Sequence, residues 1–369
     1  MPNKSEKILL CISNDISSDQ RLDKVCRSLT LHGFEVELIG RKLSHSKALD
    51  RPYSCKRLSI LFNKGALFYA FLNIQLFFYL IFKSFDKLVA NDLDTLVACK
   101  LVSKLRNKTL VIDLHELFPE VPELVNRPKT KAIWERIEKW ALSSETSSIT
   151  VCQSIADYYK KKYQADVKVV RNVPQKQTLN TSEIKKESDH FILIYQGAIN
   201  YGRGVDKMIE LMEFLPETFK LWIIGDGDKY DEIKDLHSKS EAKNRITLFG
   251  RKSPEELKKL TLQADLGLSL EQNIGLNYYF ALPNKMFDYM QAEIPSLVSN
   301  LPEMKRFTEQ HNTGYITDNQ LNTKELAEGI LKIYSEPDVY QEKQKACKLA
   351  KQKVYWAKEF ETYLEVLLA

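Results

Sequence analysis

The chain reads as an α/β protein built of two Rossmann-like halves, and three observations carry that reading. Short β-rich runs alternate with helical patterns along the whole length, as expected for parallel sheets covered by helices. The runs form two series with a polar stretch between them. At 369 residues the chain is also long enough for two domains, each burying its own core.

The first series comprises residues 7–12, 35–39, 87–90, 109–112, 148–151 and 167–170, with a helix predicted over 20–32 and ended by Gly33. The second comprises 191–195, 219–224, 246–249, 266–270, 296–298 and 314–316. Between them, PQKQTLNTSEIKKESD at 174–189 lacks apolar periodicity and is the natural linker. Residues 336–369 read as helical throughout. The domains expected are 1–173, a linker at 174–189, and 190–350, with 351–369 as a terminal helix.

With 44% hydrophobic and 28% charged residues, the composition is that of a soluble globular protein. The start, MPNKSEKILLCISND, enters a strand after six residues without an apolar signal core, so the cytoplasm is expected. Six scattered cysteines form no C-x-x-C pair and have no histidines at zinc-finger spacing, which points to reduced, packed thiols. Residues 24–64 hold nine Lys/Arg against three acidic residues, within a net charge of +5. This suits an anionic partner, either a phosphate-bearing acceptor or an anionic membrane, or else a solvated surface; nucleic acid is not expected, because no recognition motif accompanies the charge.

Residues 66–82, ALFYAFLNIQLFFYLIF, carry seven aromatics and no charge, between Lys64 and Lys83. At ~1.5 Å per residue they nearly span a bilayer. Asn73 and Gln75 at the centre, and strands of one predicted sheet on either side, argue against spanning. The choices left are a buried core helix or a helix showing an apolar face to lipid.

The stretch ALPNKMFDYMQAEIPSLVSNL at 281–301 is the most informative about function. A Pro283-Asn284 turn feeds a short amphipathic helix in which Asn284 is expected as the cap. The free N–H groups of the first turn then face an anion or sugar hydroxyls, and Asp288, one turn on, reaches a ribose. An ordinary capped helix is the alternative. In QGAINYGRGVDKMIELM, a loop with Gly197 and Gly202 sets Arg203 before a helix, where backbone and guanidinium can meet a pyrophosphate; a surface arginine on a plain connecting loop is the alternative. In IIGDGDKY, Gly225 and Gly227 permit a tight turn beside a ligand. It is no dinucleotide fingerprint, since Tyr230 stands where the third glycine belongs.

In the first half, Asp113, His115 and Glu116 crowd the carboxyl end of a strand, where open α/β sheets bind ligands. Asn14, Asp15, Asp19 and Arg21 occupy the end of the strand 7–12, as an acceptor pocket or as loop-fixing and capping groups. Asp92-Leu93-Asp94 has the letters of a metal-binding D-x-D but starts a helix, so it reads as capping.

Taken in order, DLHELFPE, RNVP, YQGAINYGRGVDKMIELM, LWIIGDGDKYDEIKDL, ITLFGRKSPEELKKL and ALPNKMFDYMQAEIPSLVSNLPEM resemble the retaining glycosyltransferases of family 4, of the bacterial cell-surface polysaccharide type. The similarity spans nearly the whole chain and is more specific in the second half. It implies a GT-B fold, a terminal helix returning to the N-terminal domain, and transfer from a nucleoside-diphosphate sugar to a glycan or lipid-linked glycan hydroxyl, with no metal or cofactor. It implies that Arg203 binds the donor pyrophosphate, Asp288 the ribose, and Pro283, Asn284 and Lys285 the sugar and phosphates, while His115 faces the transferred sugar. The implied catalytic set is His115, Arg203 and Lys285. Two positions depart from the pattern: Phe280 replaces the first acid of E-x7-E, and Ala198 replaces a second loop cation, for which Lys285 is a substitute. A sugar-nucleotide epimerase and an inactive GT-B binding domain are the rival readings.

Overall fold

The computed structural model describes residues 5–44, 46–143, 145–176, 189–318, 320 and 322–369. The chain divides into two compact units, Met1–Asn172 with Glu359–Ala369, and Val173–Lys358. Most of the expected linker, residues 177–188, lies outside the described residues.

Among the described residues the first unit holds a seven-stranded parallel sheet in the order β3-β2-β1-β4-β5-β6-β7. Its strands are β1 (Lys7–Asp15), β2 (Glu35–Arg41), β3 (Ser54–Leu58), β4 (Lys87–Asn91), β5 (Thr109–Leu114), β6 (Ser148–Thr150) and β7 (Val167–Val169). Ile8 to Cys11 are wholly buried, as a central strand covered on both faces requires. The winding direction reverses between β1 and β4, which opens a crevice at their carboxyl ends. Sequence reading missed β3: SCKRL is an edge strand with mostly polar residues, and its pairing with β2 makes it a strand.

The second unit repeats the plan with a six-stranded sheet, β10-β9-β8-β11-β12-β13. These are β8 (Phe191–Gln196), β9 (Phe219–Ile224), β10 (Ile246–Gly250), β11 (Leu266–Ser269), β12 (Ser296–Ser299) and β13 (Gly314–Thr317). Its reversal falls between β8 and β11. Gly267 on β11 leaves room for the Tyr289 ring, which would lie 2.2 Å from an added Cβ.

Three elements differ from expectation. The first helix is Gln20–Leu31, one residue shorter than predicted, because His32 already takes the cap position. The C-terminal stretch is two helices, Pro337–Ala350 and Trp356–Leu368, rather than one. The break keeps Val354 buried and frees its carbonyl to accept from Gln291 Nε2 at 3.0 Å. Glu359 then accepts from the Arg171 backbone at 2.8 Å and its Nε at 2.9 Å, and Lys87 Nζ donates to the Leu367 carbonyl at 2.7 Å, which ties the last residues into the first unit.

The apolar segment forms the helix Gly65–Phe82, with one face buried and another exposed. Phe68, Leu72, Leu76 and Leu80 make a buried stripe at helical spacing. Its polar centre is used internally: Asn73 Nδ2 donates to the Asp94 carbonyl at 2.7 Å, and Gln75 Nε2 to that of Ser59 at 3.0 Å. Leu67, Phe71, Ile74, Phe78 and Phe82 form a second, exposed stripe. All six cysteines are free, and five of them are buried.

Candidate active site

In the second unit the crevice between β8 and β11 gathers two cations around one carboxylate. Glu271 lies two residues beyond the end of β11 and is 1% exposed. Lys285 Nζ donates to its Oε1 at 2.8 Å, Ser269 Oγ donates to its Oε2 at 2.7 Å, and Arg203 Nη1 lies 3.6 Å from Oε1. Lys285 sits over the Tyr195 ring, 4.0 Å from its centroid, and Arg203 lies 4.8 Å from that of Tyr278. The same tyrosines pin the intervening loop, the Tyr195 hydroxyl donating to the Ala198 carbonyl at 2.6 Å and that of Tyr278 to the Tyr201 carbonyl at 3.2 Å.

Burial pushes the Glu271 carboxyl up, but Lys285 and then Arg203 outweigh it and hold the group below the ordinary range. Burial also brings the Lys285 ammonium down, Glu271 opposing and Arg203 reinforcing. Burial lowers the Arg203 value too, but Glu271 more than offsets it. The carboxylate therefore opposes the loss of the Lys285 proton and offsets the repulsion between Lys285 and the partly exposed Arg203.

Asp288 is fixed from behind. Gln196 Nε2 donates to its Oδ2 at 2.8 Å, and Thr261 Oγ1 donates to Gln196 Oε1 at 2.8 Å. Asn284 is not the helix cap: the helix is Asn284–Gln291, Pro283 holds the cap position without a side-chain bond, and Asn284 is its exposed first residue. Pro283 in extended conformation places Asn284 one position too late to cap. Gly197, at φ 133°, lies beside Lys285, whose Cε would be 3.6 Å from an added Cβ. Gly225 serves close packing, since a Cβ there would meet the Gly197 carbonyl oxygen at 1.8 Å. Gly202 packs on Ile274, and Gly227 on Asn200 and Ile199. Phe280 ends the short helix Leu276–Tyr279. The E-x7-E spacing from Asp288 falls on Phe280 and so does not point to Glu271. The available signal was a lone carboxylate at the end of an apolar strand, LGLSLE.

The first unit holds a second ionic cluster. Asp92 has φ 59°, an uncommon conformation for a non-glycine residue. Its Oδ1 accepts from the His115 backbone N–H at 2.8 Å, and its Oδ2 lies 3.3 Å from His115 Nδ1. His115 Nε2 lies 3.2 Å from Asp113 Oδ2. Burial alone would lower the imidazole value, yet Asp92 and then Asp113 raise it to about 9. His115 is thus a cation at neutral pH, able to donate and unable to abstract a proton. Asp113 is fully buried and would be pushed up, but Arg21 and His115 bring it to about 2.

Several sequence assignments change here. Asp92 makes no capping bond with its side chain among the described residues and turns its carboxylate to His115. Asp94 is buried, accepts from Ser13 Oγ, and is raised to about 7 by burial and by Asp92. Arg21 and Asp113 are buried and paired, at 2.9 and 3.2 Å, rather than open to an acceptor. Asp19 caps the first helix through Leu22 N at 2.8 Å, and Asp15 fixes its loop through Ser17 N at 2.9 Å and Ser46 Oγ at 2.7 Å. Asn14 and Glu116 are exposed.

Two Rossmann-like units of parallel sheet flanked by helices define a GT-B fold. Residues 176–354 match the family described as glycosyl transferases group 1, and the protein is a glycosyltransferase. Among solved structures, sucrose-phosphate synthase from Thermosynechococcus elongatus superposes with a TM-score of 0.80 at 14% identity, covering 98% of each chain. A glycosyltransferase from Rickettsia africae superposes at 0.76 with 14% identity, covering 98% of this chain and 99% of that one. Anabaena HepE in complex with UDP and glucose gives 0.76 at 15% identity, with 98% and 99% covered. At such identities the likeness is one of fold. No curated protein matches the chain.

Proposed function

We propose that the protein moves a sugar from a nucleoside-diphosphate donor to a hydroxyl of a glycan or lipid-linked glycan, with retention and without a metal, as a family 4 enzyme of bacterial cell-surface polysaccharide synthesis. The observation that carries this reading is the pair of buried Lys285 and partly exposed Arg203, converging on Glu271 at the β8/β11 crevice where a helix starts. Cations and first-turn N–H groups there offset the charge that grows on a departing diphosphate. The glycosidic C–O bond to phosphate breaks, the new C–O bond forms on the same face, and the leaving phosphate takes the acceptor proton. Asp288 holds the ribose. On the first unit, His115 orients and polarises as an imidazolium, in keeping with its raised value, and Asn14, which is exposed, contacts the acceptor. HepE, of the same fold, was solved with UDP-glucose.

Thermal shifts with UDP-, GDP- and ADP-sugars test the donor, since a ligand at about 100 times its Kd adds roughly 2.7 kcal/mol to the folded state. Transfer that persists in EDTA supports metal independence, and transfer restored only by magnesium overturns it. Nucleotide binding without turnover in the presence of acceptors points instead to the inactive domain.

For the acceptor's source we propose an anionic bilayer at the inner face of the plasma membrane. The exposed stripe Leu67, Phe71, Ile74, Phe78 and Phe82 has Lys64 at one end of its helix and Lys83 at the other. The helix beside it, Leu93–Arg106, adds exposed Leu101, Lys104 and Leu105, and Arg106 Nη1 reaches the Leu80 carbonyl at 3.2 Å. Apolar side chains bracketed by lysines match hydrocarbon beneath anionic headgroups.

A further inference from the structure

A buried lysine and a partly exposed arginine converging on one buried carboxylate is a costly arrangement. Lys285 and Glu271 are 7% and 1% exposed, and Arg203 Nη1 approaches the same Oε1 that Lys285 holds. Like charges this close repel, and a buried ammonium stripped of its counter-ion gives up its proton. Arg203 Nε has no hydrogen-bond partner among the described residues, so the cluster is not fully satisfied as it stands. Nothing about the fold alone requires charge here, since an apolar packing of the same volume is often as stable as a buried ion pair.

We propose that Glu271 is a positioning residue for the donor: it keeps Lys285 protonated and aims Lys285 and Arg203 at one place, where a diphosphate takes up the positive charge it leaves uncompensated. The inference rests on the nucleoside-diphosphate reading above. Ser269 Oγ donates to the second carboxylate oxygen, which fixes the orientation of Glu271 toward Lys285. Tyr195 and Tyr278 supply aromatic faces that tolerate a cation without neutralising it. With two cations and one carboxylate the cluster retains a single net positive charge. Breaking the sugar–phosphate bond adds a negative charge to the diphosphate, so this excess is worth most as the leaving group departs. Glu271 also occupies the neighbourhood of the donor site in a chain whose E-x7-E element begins with Phe280.

A merely structural ion pair and a positioning carboxylate differ in their pH signature. Without Glu271, the interaction that raises the Lys285 value is gone, so Lys285 loses its proton at lower pH than in the wild type. Donor KM then begins to climb at a lower pH than in the wild type. Glu271→Gln is expected to raise donor KM at least about ten-fold at neutral pH, the loss of one hydrogen bond between charged groups. The increase grows with alkalinity. Glu271→Asp, which keeps the charge but withdraws it, gives an intermediate profile and covers the case in which the glutamine variant does not fold. Glu271→Gln combined with Lys285→Arg removes the added pH dependence, because a guanidinium does not titrate in this range.

Calorimetry with UDP, GDP and ADP accompanies the kinetics. If the wild type binds one of them while Glu271→Gln or Glu271→Asp changes only thermal stability, with donor KM and its pH profile parallel to wild type, the positioning role is overturned and the donor reading survives. If the wild type binds none of the three, the donor reading fails and this inference falls with it.

Discussion

Lys285, at the first turn of its helix, donates from Nζ to Glu271 Oε1 at 2.8 Å across a separation of fourteen residues. The bond joins the start of the helix Asn284–Gln291 to the end of β11, and Arg203 from the β8 loop completes the group.

Lys285→Met leaves Glu271 buried with only the more distant Arg203 for compensation. Removing one partner of a buried pair costs about 3–5 kcal/mol, and Arg203 should keep this case near the lower figure. Urea unfolding measures it, and a midpoint equal to wild type would show that the pair contributes nothing to the fold.

Asp288→Ala is expected to weaken nucleoside-diphosphate binding, each charge-assisted bond to a ribose hydroxyl being worth roughly 1.5–3 kcal/mol. Gln196 loses a partner as well, so a small drop in stability accompanies it. Calorimetry decides: an unchanged Kd reassigns Asp288 to bracing Gln196 and Thr261.

Arg203→Ala should depress kcat more than nucleotide affinity, because the guanidinium acts most on charge that appears in the transition state. Single-turnover measurements separate the two, and a pure affinity loss would place Arg203 in ground-state binding alone.

His115 sets a pH dependence of stability. Its folded value, about 9, lies above the usual 6.5. Its contribution is therefore complete below the unfolded value and disappears as pH rises through the folded one, a loss of ~3 kcal/mol. The difference between wild type and His115→Gln isolates this group from Asp94, which titrates lower. Parallel stability profiles for the two proteins over that window would show that the imidazole is not held as a cation.

Phe78→Ser with Phe82→Ser removes two side chains that are 60% and 84% exposed, so the fold should not notice. Each buries about 1.5–3 kcal/mol worth of apolar surface on entering a bilayer, and nearby lysines add ~1 kcal/mol apiece. Co-sedimentation with vesicles containing anionic lipid should fall sharply in the double variant and partly in the wild type at high salt. Nucleotide affinity should not move. Wild type that ignores such vesicles at every salt concentration would leave the stripe without this partner.

The alternation of strands and helices was legible in the sequence because each element is specified by its own short period, readable within a few residues. Arg203, Lys285 and Asp288 can likewise be singled out from local motifs on a loop and a helix start, and the structure shows that Arg203 and Lys285 meet at one carboxylate. Tertiary structure alone decided the rest. Strand β3 exists because β2 offers it a paired edge, not because SCKRL favours a strand. Asp92 reads as a cap until the backbone at φ 59° turns it to His115, twenty-three residues away. Arg21 meets Asp113 across ninety-two residues, and Glu271 meets two cations from separate elements. The charged pairings arise near the carboxyl ends of the strands, which each sheet brings together from distant parts of the sequence. Local sequence encodes the conformation of each segment, whereas the partner of a buried charge is chosen by which strand ends become neighbours.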